Sequence, residues 1–98
     1  MKDFHEQRRS RRYFISGMVQ GVGYRYYALR AAQRLGVAGF ARNLEDGRVE
    51  VYAIGSAVAL GKFRTELERG PEGAAVSGVS EEDAPPAEQY SKRFSIER

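Results

Sequence analysis

Two helix-periodic segments set among strand-like ones in the order β-α-β-β-α-β, in a chain of 98 residues, predict an α+β fold. The expected form is a ferredoxin-like α/β sandwich, with two helices on one face of a mostly antiparallel sheet and room for an extra terminal strand. Three observations carry this reading. A strand-rich run passes through a glycine loop directly into a helical pattern, an Asp46-Gly47 turn separates the next two strands, and a second helix is bracketed by Ser56 and Gly70-Pro71. A chain of this length supports one domain with one core of two packed layers.

Each element has a local reason. Residues 13–19 are rich in aromatic and β-branched side chains and form the first strand. From residue 22 to 35, Val22, Tyr26, Leu29 and Gln33 mark one stripe and Ala28, Ala32 and Leu35 its neighbour, which predicts a helix with a broad apolar face. Gly36 stands where a helix C′ residue belongs. Residues 37–43 and 48–54 make a β-hairpin, in which Val49, Val51 and Ala53 alternate with Arg48, Glu50 and Tyr52. Ser56 caps the second helix, whose buried stripe is Leu60, Phe63 and Leu67. Residues 74–80 and 92–97 supply two more strands, joined by a loop over 81–90 with Pro85-Pro86 at its centre.

Composition bounds the function. Hydrophobic residues at 42% and charged residues at 30% are ordinary for a soluble domain, and no apolar stretch reaches a membrane span. With no cysteine, a disulfide framework, a zinc knuckle and a thiol nucleophile are all excluded. The net charge of +3 owes much to Lys2, Arg8, Arg9, Arg11 and Arg12, so residues 1–10 are expected to be a basic, flexible tail and 11–98 the domain. The polar start, without a signal-peptide core, suggests the cytoplasm. The single histidine, His5, falls in that tail, which argues against a phosphohistidine mechanism. Acidic residues are scattered, so the clustered ligands of a metal-dependent phosphatase are not expected, and Glu81-Glu82-Asp83 reads as a solvated loop.

The chemistry concentrates in Gly17-Met18-Val19-Gln20-Gly21-Val22-Gly23-Tyr24-Arg25, at a strand-to-helix junction. Glycines let backbone N–H groups converge, a helix N-terminus adds partial positive charge, and Arg25 offers a planar fork of donors. Taken alone, the run fits either an anion cradle or a tight turn with a surface arginine. A second stretch, Gly39-Phe40-Ala41-Arg42-Asn43-Leu44-Glu45-Asp46-Gly47-Arg48-Val49, followed by Gly55, sits downstream. Asn43 is by itself either a turn-stabilising residue or a group that orients a water, since its amide both donates and accepts.

Together these two stretches resemble the two signature motifs of the acylphosphatase family, in order and spacing. The likeness continues through Ala32, Leu35-Gly36, Phe63, Gly70-Pro71, Ala75, Val76 and Phe94-Ser95-Ile96, covering about residues 11–98. The resemblance implies hydrolysis of acyl phosphates to carboxylate and inorganic phosphate, with no metal or other cofactor. It further implies that the backbone amides of Gln20, Gly21, Val22, Gly23, Tyr24 and Arg25 surround the phosphate, that the Arg25 guanidinium binds its oxygens, and that Asn43 holds the attacking water. Inorganic phosphate is then product and inhibitor, and a monomer is the default. Tyr24 stands where phenylalanine is usual and needs a partner for its hydroxyl if buried, Phe40 replaces a common tryptophan, and Gly23 replaces a side chain in the loop.

Two other readings compete. One is an acylphosphatase-like domain that binds phosphate or acyl phosphate without turnover. The other is an RNA-binding module stacking bases on Tyr13 and Tyr52, which lacks the paired aromatics of such domains and places Glu50 where RNA would be repelled, so nucleic acid is not the expected partner.

Overall fold

The structure is a computed structural model that describes residues 7–98. Lys2 and His5, and most of the expected tail, lie outside the described residues. The elements are β1 (Arg9–Met18), α1 (Tyr24–Leu35), β2 (Ala38–Asn43), β3 (Val49–Gly55), α2 (Ala57–Arg69), β4 (Ala75–Asp83), a short 3-10 turn (Glu88–Tyr90) and β5 (Phe94–Glu97). The sheet has the order β4-β1-β3-β2-β5. Every neighbouring pair is antiparallel except β2 and β5, which run parallel. The ferredoxin-like sandwich with an added edge strand is thus the fold. Among the described residues no helix is long and apolar enough to cross a membrane.

The largest departure from expectation is at the basic start of β1, beside the edge strand β4. β1 begins at Arg9 because residues 9–12 pair with 55–52 of β3, and on its other side Arg11 faces Asp83 and Tyr13 faces Glu81 in the β1–β4 register. The Arg11 guanidinium lies 3.0 Å from Glu81 and 3.2 Å from Asp83, and Arg64 of α2 joins Glu81 at 2.6 Å. Glu81-Glu82-Asp83 is therefore the end of a strand and not a loop. Opposite charges directly across a ladder contribute a few tenths of a kcal/mol up to about 1 kcal/mol each, enough to extend two strands that composition alone makes look solvated.

The helices cover one face. Tyr13 and Ile15 of β1, Val49 and Val51 of β3, Ala28 and Ala32 of α1 and Leu60, Phe63 and Leu67 of α2 form the main core. The Phe63 ring meets Tyr13 and Phe94 edge-on, with centroids 6.3 and 5.9 Å away. α1 starts at Tyr24 and not at Val22, and the face it buries is Tyr24, Ala28, Ala31 and Ala32, so that Tyr26, expected in the stripe, is 64% exposed. Tyr24 meets the requirement of its hydroxyl by donating to the Leu67 carbonyl at 2.6 Å, which ties the start of α1 to the end of α2.

The other sheet face is also covered. Phe40, Tyr52, Ile54 and Ala38 form a second, smaller core under Tyr90, and Tyr52 donates to the Pro85 carbonyl at 2.8 Å. Glu50, read from the sequence as a charge that would repel RNA, is buried and held by Arg12 and Arg42. With Tyr13 and Tyr52 at 0% and 2% exposure, no aromatic platform for RNA bases exists at those positions.

Tyr13 carries a testable consequence. Its hydroxyl has no hydrogen-bond partner among the described residues, and burial, aided by Glu81, pushes it up to about 12. Folding therefore favours the neutral phenol, a contribution fully present below pH 10 and lost as pH rises through 12. Tyr13→Phe removes an unsatisfied buried polar atom, so it is expected to stabilise the protein by about 1 kcal/mol and raise the melting midpoint by roughly 5 °C. The gain widens above pH 10, and thermal melts across that range check it.

Candidate active site

The site forms where β1 leaves the sheet. Between Ser16 and Gly17 the β1–β4 register shifts, and Gly17 sits at φ +123°, where a Cβ would lie 2.1 Å from the Ala75 carbonyl oxygen. That bulge needs glycine, and it turns the chain into the loop 20–23. Gly21 and Gly23 take φ values of 77° and 78° with open space around them, so the demand there is conformational and not steric. Positive φ at alternating positions allows successive N–H groups to converge on one point.

α1 opens on Gly23 in the left-handed region with no capping side chain and no acid in its first turn. The first amides of a helix lack intrahelical acceptors, so this end leaves its donors and its partial positive charge for an anion. The adjoining cavity, of about 110 Å³, is lined by Gly21, Gly23, Tyr24 and Arg25, with Asn43 from the end of β2 and Ile96 from β5. Among the described residues, Arg25 is the one charged side chain lining it. One guanidinium nitrogen donates to the Glu97 carbonyl at 3.1 Å, which aims the half-buried fork from a second direction. Tyr24 lines the cavity, but burial raises the pKa of its hydroxyl, already committed to Leu67, so it is no proton donor or acceptor in the neutral range.

Asn43 is placed by the hairpin. It pairs with Val49 at the last rung of β2–β3, and the turn beyond is closed by Leu44 N–H donating to Arg48 O at 2.8 Å. The Asp46 carboxylate accepts from the Arg48 backbone N–H at 3.1 Å and from its side chain, which holds its pKa below the usual carboxylate range. Arg42, next to Asn43, points to the other face and bonds Glu50, in line with strand alternation.

Five of the residues read from sequence as site residues, Gly21, Gly23, Tyr24, Arg25 and Asn43, therefore share one cavity. Val22 instead packs against the main core, and the Gln20 side chain turns away to the hairpin. Val19, Tyr26 and Ile96 also line the cavity, a role that sequence reasoning missed. For Ile96 the available signal was the Phe94-Ser95-Ile96 likeness, which carries no hint that the last strand returns beside β2. No group of three or more His, Cys, Asp or Glu stands together among the described residues.

Fold and cavity together define a small α+β sandwich with a glycine-built, singly positive pocket at its first strand-to-helix junction. Residues 11–96 match the acylphosphatase family model, and the chain belongs to the acylphosphatase family. It is 52% identical over 75 residues to an acylphosphatase of Solibacter usitatus, covering 76% of this chain and 78% of that one. To an acylphosphatase of Koribacter versatilis it is 47% identical over 92 residues, covering 94% of this chain and 83% of the other. The crystal structure of acylphosphatase from Bacillus subtilis superposes with a TM-score of 0.86 at 34% identity, over 94% of this chain and all (100%) of that one.

Proposed function

We propose that this chain hydrolyses acyl phosphates by electrostatic stabilisation and water placement, with Arg25 and the amides of residues 20–25 holding the phosphoryl group and Asn43 orienting the water. The observation that supports this reading best is the convergence of Arg25, the uncapped start of α1 and Asn43 on one cavity of about 110 Å³, a space suited to a phosphoryl group. In a loose phosphoryl-transfer transition state, charge spreads over the equatorial oxygens, where preorganised N–H donors and a guanidinium stabilise it most.

The water oxygen forms a bond to phosphorus as the bond from phosphorus to the carboxyl oxygen breaks. The electron pair leaves with the carboxylate, a stable anion that needs no acid to assist it. Asn43 accepts from and donates to the water but cannot deprotonate it, so the water's proton passes to a phosphate oxygen. The products are a carboxylate and inorganic phosphate, which competes for the same donors. In this reading the domain of residues 11–98 works as a cytoplasmic monomer, and the basic segment 1–10, whose Arg9 and Ser10 belong to β1, takes no part in the chemistry.

The test is hydrolysis of benzoyl phosphate in the presence of a chelator, by the wild type and by Asn43→Ala. Turnover should persist with chelator, and Asn43→Ala should lower kcat by about 10²-fold while inhibition by inorganic phosphate stays within about 3-fold. Equal losses in both would make Asn43 a structural residue. Thermal protection by phosphate without turnover would leave a binding domain.

A further inference from the structure

We infer that the side chain of Gln20 is a positioning residue that sets the distance between the phosphate cradle and the water-orienting Asn43. This rests on the proposed function of that site. The Gln20 side-chain amide nitrogen donates to two carbonyl oxygens of the hairpin neck, Leu44 O at 2.8 Å and Arg48 O at 2.9 Å. Carbonyls only accept, so the amide must present its NH₂ to them, and both of its protons are used. Gln20 directly precedes Gly21 of the cradle, and Leu44 directly follows Asn43. The link thus joins the two halves of the site one residue from each, while the chain between its ends runs 24 residues through α1 and β2.

The sheet leaves this junction otherwise unsupported. The β1–β3 ladder ends at Ile15 and Val49, and beyond the bulge β1 pairs only with β4, on the far side from β2. No backbone rung therefore connects residues 16–20 to the hairpin. The Gln20 amide supplies the missing connection, and Arg48 O accepts both it and the Leu44 N–H that closes the turn. Misplacing a reacting group by about 1 Å can lower a rate by as much as about 10²-fold without changing anion affinity.

The experiment is a double-mutant cycle of Gln20→Leu with Asn43→Ala, reading kcat for benzoyl phosphate and inhibition by inorganic phosphate. Gln20→Met, which keeps an unbranched stem, is the parallel variant if the leucine protein does not fold. Gln20→Leu is expected to lower kcat about 10-fold and leave phosphate inhibition within about 3-fold, because the cradle amides and Arg25 remain. In the Asn43→Ala background the same change should cost less than about 2-fold, since a positioning residue has nothing left to position. Amide hydrogen exchange at Leu44 and Gly47 should quicken in Gln20→Leu while the β1–β4 ladder stays protected. Unchanged kcat, a parallel loss of phosphate affinity, or full additivity with Asn43→Ala would overturn the inference. A wild-type kcat in Asn43→Ala alone would instead overturn the water-orienting reading on which it rests.

Discussion

Replacing Arg25 by glutamine should lower kcat/KM for benzoyl phosphate by at least ~10²-fold, a loss of about 3 kcal/mol of transition-state stabilisation. Arg25 is, among the described residues, the one charged side chain lining the cavity, so the helix N-terminus and the loop amides would have to carry all of the developing charge without it. Glutamine keeps a donor and much of the stem but loses the charge and the bidentate fork. Its bond to Glu97 O is one hydrogen bond near the chain end, so the fold should survive and the melting midpoint should move little. Phosphate inhibition should weaken along with turnover, in contrast to Asn43→Ala, because the guanidinium meets the phosphoryl group in ground and transition states alike. Near-normal turnover in a folded Arg25→Gln protein would refute the cradle mechanism.

Gly39→Ala should have the largest effect on stability. Gly39 lies in β2 between β3 and β5, at φ +135°, and a Cβ built there would sit 1.8 Å from the Tyr52 carbonyl oxygen and 2.7 Å from its carbon. Both atoms belong to the backbone of the central strand, which is buried on both faces, so neither neighbour can yield cheaply. Gly39 N–H also donates to Arg93 O at 3.1 Å, and shifting β2 would break that contact with the β5 side. The expected loss is more than about 4 kcal/mol, a large part of the roughly 5–15 kcal/mol that holds a domain together. Gly47→Ala, at φ +97° with nothing within 4 Å, should lose only about 1 kcal/mol from backbone strain. Urea melts of the two variants separate a steric requirement from a conformational one, and comparable losses would refute the distinction.

Much of the site was legible because it is local. The glycine run, Arg25 and the start of α1 lie within nine residues, and their chemistry follows from neighbours in the chain. Ser56 as a cap, its Oγ accepting from Ala59 N–H at 3.0 Å, was readable for the same reason. The phase of α1 was not. The apolar residues allow two neighbouring stripes, and packing selects the one through Tyr24, Ala28, Ala31 and Ala32, which leaves Tyr26 exposed, a choice that a periodicity count does not register.

The sequence by itself determined the order of elements, the two-layer sandwich, the absence of thiol chemistry and the make-up of the anion cradle, since each rests on propensity, turn chemistry or side-chain inventory. Only the tertiary structure decided which charges are structural. Arg12 meets Glu50 across 38 residues, and Arg11 meets Glu81 between the first and fourth strands, so a basic run and an acidic run that each look solvated become a cross-strand pairing. It also decided that Gln20 turns its side chain to the hairpin, that Ile96 closes the cavity, and that Tyr52 lies beneath Tyr90 on the face away from the helices. These contacts join residues far apart in the chain, and their free energy exists only once strand order and register have brought the partners together.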